Sequence, residues 1–392
     1  MTPIEDIQLT LVRDLSDVER MMTWLGERRQ FLAVYVETTG LNVGHDRIRL
    51  AQFGDTTQGW ALDYGDWRGV VRQVIERYDR PIVCHNLLFD SKMLKADGIV
   101  IPQRLAHCSM IMTHLANPAA PMGLKAAATR YIHRRAAAGQ GLLSAAMRQG
   151  GWTWETIPVE VPAYWKYSAT DTCLSALLAE KLYPDTLKAP YELELGVIHC
   201  LREAELAGLQ VDEEYRLAAT AKVEAELQIL RPQIPCNPNS DKQVIELLQS
   251  MGAQWDVRTE KGNLSVDKEV MQWLAAQGFP IAGLIQQFRG RYRILTNYLY
   301  KLAGIAAGGM AAGGVIRAST KSVGARTSRM SVIEPPLQTL PRGRVVRDAI
   351  LARAGCAYVM ADFSGMEMRA LASFAHEENM LAVYAAGQDL HD

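Results

Sequence analysis

The stretch Tyr358-Val359-Met360-Ala361-Asp362-Phe363-Ser364-Gly365-Met366-Glu367-Met368-Arg369 couples a strand-like run to a helix-like one. The apolar run ends in a single aspartate, Glu367 follows five residues on, and Arg369 two after that. An aspartate at the end of a strand sits on a rigid element with its carboxylate aimed into an open site, as a metal ligand needs. Read alone, Asp362 is more commonly a helix N-cap. What stands around it in the sequence decides between the two.

The chain has 392 residues, 48% of them apolar, enough for two or three domains with sizeable cores. No uninterrupted apolar stretch is long enough to span a bilayer. The start, Met1-Thr2-Pro3-Ile4-Glu5-Asp6, has neither the basic flank nor the apolar core of a secretory signal. Six scattered cysteines (Cys84, Cys108, Cys173, Cys200, Cys236, Cys356) form no CxxC pair, which points to reduced thiols in a cytoplasmic protein rather than to a zinc site.

The net charge of -1 conceals an asymmetry. Between Ile281 and Arg347 stand eleven basic residues (Arg289, Arg291, Arg293, Lys301, Arg317, Lys321, Arg326, Arg329, Arg342, Arg344, Arg347) against one acid, Glu334. A merely solvated face interleaves both signs. A block of one sign on a near-neutral chain indicates a surface for phosphates.

The apolar run Phe31–Val36 and the alternating Ile48–Phe53 read as strands, followed by a helix near 67–78 and a short strand at Pro81–Cys84. Strands alternating with helices make this part α/β. From about Tyr191 to Leu302 the apolar spacing turns helical. The turn Asn237-Pro238-Asn239-Ser240 is placed to cap a helix over Asp241–Met251, and Leu264-Ser265-Val266-Asp267 one over 268–277. Gly304–Gly314, rich in Gly and Ala, reads as a mobile connection, and Val315–Ser319 as a strand after it.

Three segments carry acidic chemistry. Tyr35-Val36-Glu37 closes the first strand; Asn86-Leu87-Leu88-Phe89-Asp90 follows the 81–84 strand; Tyr167-Ser168-Ala169-Thr170-Asp171 lies later. Two-metal phosphodiester hydrolysis needs carboxylates from separate elements converging on one point. Tyr167 and Asp171 are one helical turn apart, so both can face that point. In order and spacing these segments resemble the DEDD-type 3′→5′ proofreading exonuclease of the family A (DNA polymerase I-like) DNA polymerases. The resemblance implies that Glu37, Asp90 and Asp171 hold metal and that Tyr167 orients the attacking water. It also exposes a departure. The family has an aspartate bridging both metals where Tyr35 stands, and a neutral phenol cannot replace it. The exonuclease is therefore expected to be folded, nearly inactive, and still able to hold single-stranded 3′ ends.

The later motifs resemble the same family in the same order. Phe288–Tyr298 is similar to its thumb helix, with Arg289 and Arg293 on one face for successive phosphates and Tyr298 turned inward. Thr327-Ser328-Arg329-Met330-Ser331 resembles Thr-Gly-Arg-Leu-Ser, and Pro335-Pro336-Leu337-Gln338-Thr339-Leu340-Pro341 resembles Pro-Asn-Leu-Gln-Asn-Ile-Pro. These imply primer–template contacts by Arg329, Gln338 and Arg347. Tyr358–Arg369 itself resembles the family's motif A, followed by Asp389-Leu390-His391. Motif A implies Asp362 as ligand of two Mg2+ ions and Glu367 as the barrier to a ribose 2′-hydroxyl, with Arg369 supporting Glu367 or the helix packing. The stretch Ala119–Tyr167 is most similar to actinobacteriophage members.

The fold expected is an α/β, ribonuclease H-like exonuclease domain (1–188), a mainly helical thumb (189–314) and the first part of an α+β palm (315–392). The family's fingers helix and its second metal carboxylate have no counterpart before Asp392. The expectation is thus the N-terminal part of a split polymerase, a segment ahead of an intervening sequence, or a shortened chain, needing a separate C-terminal fragment or subunit to use deoxynucleoside triphosphates. Two other classes are a standalone 3′→5′ exonuclease and a non-catalytic primer–template-binding subunit. A cytoplasmic location in a bacterial host follows if the chain is phage-encoded.

Overall fold

The computed structural model describes residues 6–303, 314–388 and 390. The connection read at Gly304–Gly314 therefore lies, Gly314 apart, outside the described residues, as do Asp389 and His391. Two compact units divide the chain, Met1–Leu351 and Ala352–Asp392.

In the first unit, β1 (Gln8–Val12) and α1 (Leu15–Gly26) precede the strands legible in the sequence. Then come β2 (Leu32–Thr38), β3 (Ile48–Gly54), β4 (Gln58–Asp63), α2 (Tyr64–Arg77), β5 (Ile82–Cys84), α3 (Leu87–Ala96), β6 (Ala106–Cys108), α4 (Ser109–Ala116), α5 (Leu124–Tyr131), α6 (Ala138–Gly150) and α7 (Pro162–Leu182). The six strands form one sheet in the order β1-β4-β3-β2-β5-β6. β2, β3 and β4 run antiparallel, while β1, β5 and β6 each pair parallel to their neighbours. β2 is central, and Leu32, Ala33, Val34 and Val36 are all buried, as expected of a strand covered on both faces.

α7 has no one-sided apolar stripe because it is covered nearly all round: Tyr164, Trp165, Ala169, Cys173, Leu174 and Leu178 are buried. It lies across β1–β5. This places one end of the long helix beside the C-terminal end of β2.

α8 (Lys188–Ala207) packs on α3, with Lys92 and Glu205 forming a buried ion pair at 2.6 Å. After β7 (Leu209–Val211), the helices α9 (Glu213–Leu230), α10 (Asp241–Ser250), α11 (Lys268–Ala276) and α12 (Pro280–Ile294) enclose a separate core of Val244, Leu248, Val270, Leu274, Ile285 and Phe288. The expected caps form: Ser240 accepts from the Gln243 amide and Asp267 from that of Val270. A π turn at Leu295–Leu299 leads into α13 (Tyr300–Leu302).

The strand expected over Val315–Ser319 forms only as β8 (Val315–Ile316). β9 (Thr320–Lys321), β10 (Ser331–Val332), α14 (Arg344–Arg347) and β11 (Ile350–Leu351) follow. β8 and β11 flank β7 in a three-stranded antiparallel sheet, and β9 pairs with β10.

The described residues of the second unit form an irregular segment, α15 (Met366–Ala375) and α16 (Glu378–Ala385). Tyr358–Asp362 was expected to be a strand, and it is not one. A strand persists only by pairing its backbone groups with a neighbour, and the described residues of this unit contain no other strand. No helix of the described residues is long and apolar enough to cross a membrane.

Candidate active site and nucleic-acid interface

The three acidic segments of the first unit come together where β2 ends. Tyr35 and Glu37 are two apart on β2 and share a face. The pairing of β2 with β3 shifts register between Glu37 and Thr38, an irregularity of the kind that re-aims side chains at sites. Asp90 reaches in from the first turn of α3, and Tyr167 and Asp171 from α7.

Asp90 is 2% exposed, and its Oδ1 accepts the Val36 amide at 3.1 Å. β5 pairs with β2 only at Leu32 and Ala33, so Asp90 satisfies a backbone donor that no strand reaches. Burial pushes this carboxyl well above the usual carboxylate range, against the pull of the amide. Glu37 is half-buried, and burial raises it to about 7, opposed by Ser168 and the charge of Lys125. Burial and the charge of Glu37 push the Tyr167 phenol up to about 12. Tyr35 lies with its hydroxyl 3.0 Å from that of Ser175. Burial and the charge of Asp90 hold its phenol well above its ordinary range.

Sequence reasoning missed Lys125. From α5 its ammonium bonds the Asp171 carboxylate and lies 4.3 Å from the centroid of the Tyr167 ring; burial lowers Lys125 to about 7, against the charge of Glu37, which favours the ammonium. A lone lysine after Gly123-Leu124 carries no signal; only the packing of α5 against α7 brings it here. His85, one residue before the Asn86–Asp90 segment, is also buried, its ring between Ser109 Oγ (3.0 Å) and the Met122 carbonyl (2.8 Å). Burial lowers it to about 4.

The fit to metal is poor. Among the described residues no three His, Cys, Asp or Glu side chains converge closely enough to hold an ion. One carboxylate is engaged by an ammonium, another by a backbone amide, and the position of a fourth is a phenol.

The basic stretch divides in two. Arg289, expected on phosphate, is held by the carbonyls of Pro238 (2.6 Å) and Val266 (3.0 Å) and by Asp241 (2.7 Å). Arg347 donates to the Pro341 carbonyl at 2.8 Å, and Gln338 bridges the Met330 carbonyl and the Val332 amide. Arg291, Arg317 and Arg344 likewise bond Glu226, the Leu206 carbonyl and Asp348. Arg293, Lys321, Arg326, Arg329 and Arg342 are exposed. Tyr298 is buried as expected and donates to the Thr339 carbonyl. Ser328, in the glycine position of the Thr-Gly-Arg-Leu-Ser pattern, takes a left-handed φ of 62°. Its hydroxyl is 3.0 Å from Nε2 of buried His114 on α4.

In the second unit Asp362 and Glu367 are exposed. Gly365, at φ 58°, occupies the N-cap of α15, so Asp362 does not cap that helix. Arg369 donates to the Ser364 carbonyl at 2.9 Å and stacks 4.2 Å from the Tyr384 ring centroid. This ties the turn after Asp362 to α16. Val359, Met360 and Phe363 are 93%, 90% and 77% exposed.

Comparison with known proteins finds two kinds of domain along the chain. Residues 10–186 match the model of the 3′-5′ exonuclease family and residues 209–392 that of DNA polymerase family A; domains of both kinds generally use divalent metal ions. The DNA polymerase of Mycobacterium phage D29 is 26% identical over 98% of this chain and 68% of its own length. The DNA polymerase I of Chloroflexus aurantiacus is 30% identical over 60% of this chain, but the match spans only 26% of that protein. The polymerase domain of Pol1 from M. smegmatis, solved with DNA primer-template and dNTP, shares the fold, with a TM-score of 0.76 at 20% identity over 98% of this chain and 66% of that one. The two matches follow one another along the chain, the exonuclease-family segment ahead of the polymerase-family segment, and each covers just under half of it.

Proposed function

We propose that this chain is the exonuclease-like and primer–template-gripping part of a DNA-directed DNA polymerase acting in DNA replication. The observation that carries the reading is the stretch Ile281–Arg347, eleven basic residues to one acid, standing in the sequence between the exonuclease segments and Asp362. Residues 1–188 form the exonuclease-like domain, 189–314 the thumb and 315–392 the beginning of the palm. Exposed Arg293, Lys321, Arg326 and Arg342 take the phosphates of the primer–template, together with Arg329. Arg289, Gln338 and Arg347 hold the backbone that presents them. Their roles on DNA are then mainly in positioning, because each already has an intramolecular partner.

Asp362 is the carboxylate that would hold Mg2+ in the polymerase site. Bound there, such ions activate the primer 3′-hydroxyl and neutralise the triphosphate. Glu367 bars the 2′-hydroxyl by its bulk, a steric device suited to a group that contact alone rejects poorly. Arg369, stacked on Tyr384, fixes the turn between Asp362 and Glu367. The rest of the palm and the fingers complete the site, on a longer chain or on a separate C-terminal fragment. The exonuclease-like domain holds single-stranded 3′ ends without cleaving them, in the cytoplasm of the host cell.

Primer extension tests this with the remaining palm and fingers supplied. Asp362→Ala abolishes extension by the assembled enzyme, while salt-sensitive binding to primed duplex survives. Extension by the variant at the parent rate, or no extension by any assembly, would overturn the polymerase reading. Cleavage of a frayed primer at ordinary proofreading rates would overturn the non-cleaving role of the first domain.

A further inference from the structure

We infer that Lys125 is the resident cation of the exonuclease-like site: its ammonium replaces the divalent ions, and the site is neutralised without metal. The inference rests on the reading of this domain as non-cleaving and goes one step deeper.

Buried carboxylates demand positive charge or hydrogen-bond donors. In a two-metal site, two divalent ions neutralise a set of carboxylates drawn from several elements. Here the set has shrunk on both sides. Tyr35 removes one acid and turns its hydroxyl to Ser175. Asp90 is satisfied by the Val36 amide. Asp171 is bonded by Lys125, and Glu37 lies within electrostatic reach of the same ammonium.

The position of the lysine is also fixed from the other side. It stands over the face of Tyr167 at cation–π distance, so the phenol that would orient a water is covered by the ammonium. Asp171 and Lys125 side chains are both largely buried, and a divalent ion bonding Asp171 would have to expel the ammonium first. Tyr35 and Lys125 are therefore two halves of one exchange. Restoring the acid alone adds a buried negative charge but leaves the ammonium in place; removing the lysine alone leaves too few carboxylates.

The test uses the full chain carrying Asp362→Asn, so that the polymerase carboxylate contributes no ion, with Mn2+ as the probe. Binding is read from the loss of the free Mn2+ resonance and from thermal unfolding with Mn2+ against EDTA. The parent binds no Mn2+ at millimolar concentration, and its Tm moves by less than about 1 °C. Lys125→Met unfolds several degrees lower than the parent, Lys125→Arg retains the parent's stability and indifference to metal, and Tyr35→Asp with Lys125→Met binds Mn2+ and regains several degrees on its addition. Mn2+ binding by the parent that is lost on Asp171→Asn would overturn the inference. So would a Lys125→Met chain as stable as the parent, or a double variant that folds yet ignores Mn2+. If the double variant fails to fold, the parent and Lys125→Arg still decide. Metal binding without cleavage sinks only this inference, whereas cleavage of DNA sinks the non-cleaving role as well.

Discussion

Tyr35 on β2 and Ser175 on α7 meet across the strand–helix junction with their hydroxyls 3.0 Å apart. The tyrosine that stands where the resembling family has an aspartate is thus bonded to the helix that packs on its sheet. Tyr35→Phe removes the bond while keeping the ring, and is expected to cost about 1 kcal/mol. Ser175→Ala should cost a similar amount, and the double variant less than the two together, because the pair shares one bond. Urea unfolding of the four proteins measures the coupling; strictly additive losses would show that the hydroxyls do not interact.

Asp90 is read as a structural acceptor for the Val36 amide. Burial favours its neutral form, which an amide side chain imitates. Asp90→Asn should therefore remain within about 1 kcal/mol of the parent, while Asp90→Ala, which orphans a buried N–H, should lose about 2 kcal/mol. Denaturant midpoints distinguish this from a purely electrostatic role, in which Asn and Ala would behave alike.

Ser328 holds a left-handed backbone that glycine adopts freely. Ser328→Gly relieves that strain but gives up the bond to His114, so the two effects, each about 1 kcal/mol, nearly cancel. Ser328→Ala keeps the strain and loses the bond. The alanine variant should be less stable than the glycine variant by about 1 kcal/mol, and equal thermal stabilities would argue against strain at this turn.

His85 gives a pH signature. Burial lowers it to about 4 from an ordinary value of 6.5. The unfolded chain then binds more protons than the folded one between those values, so stability rises with pH across the window. The contribution is fully present above about pH 6.5 and is lost as pH falls toward 4, up to about 3 kcal/mol. His85→Asn is less stable at neutral pH but lacks this part of the acid loss. Unfolding at pH 7.5, 6.5, 5.5 and 4.5 should show the gap between parent and variant closing as the medium becomes acid. A constant gap would mean that the ring is not held neutral.

The central strands, the capping turns 237–240 and 264–267, the helical run from Tyr191 and the order of the acidic segments were all legible in the sequence. Periodicity, capping and spacing are local properties, written within one helical turn or one strand. β1 was short enough to escape notice, and Tyr358–Asp362 has the composition of a strand without a described neighbour to pair with. The exposed apolar side chains of Val359 and Met360 show that composition alone does not make a strand.

By itself, the sequence determined which residue types are available and in what order: three acids on separate elements with a tyrosine near two of them, a basic stretch broken by a single acid, and Asp362 before a helix. Tertiary structure alone decided what each of them touches. It brought Lys125 from α5 onto Asp171, turned Tyr35 toward Ser175, gave Asp90 to a backbone amide, and bound Arg289 to the Pro238 carbonyl, 51 residues earlier in the chain. The reason is physical. A buried charge takes whichever partner the packing of distant elements presents, and no pattern of neighbouring residues records that choice.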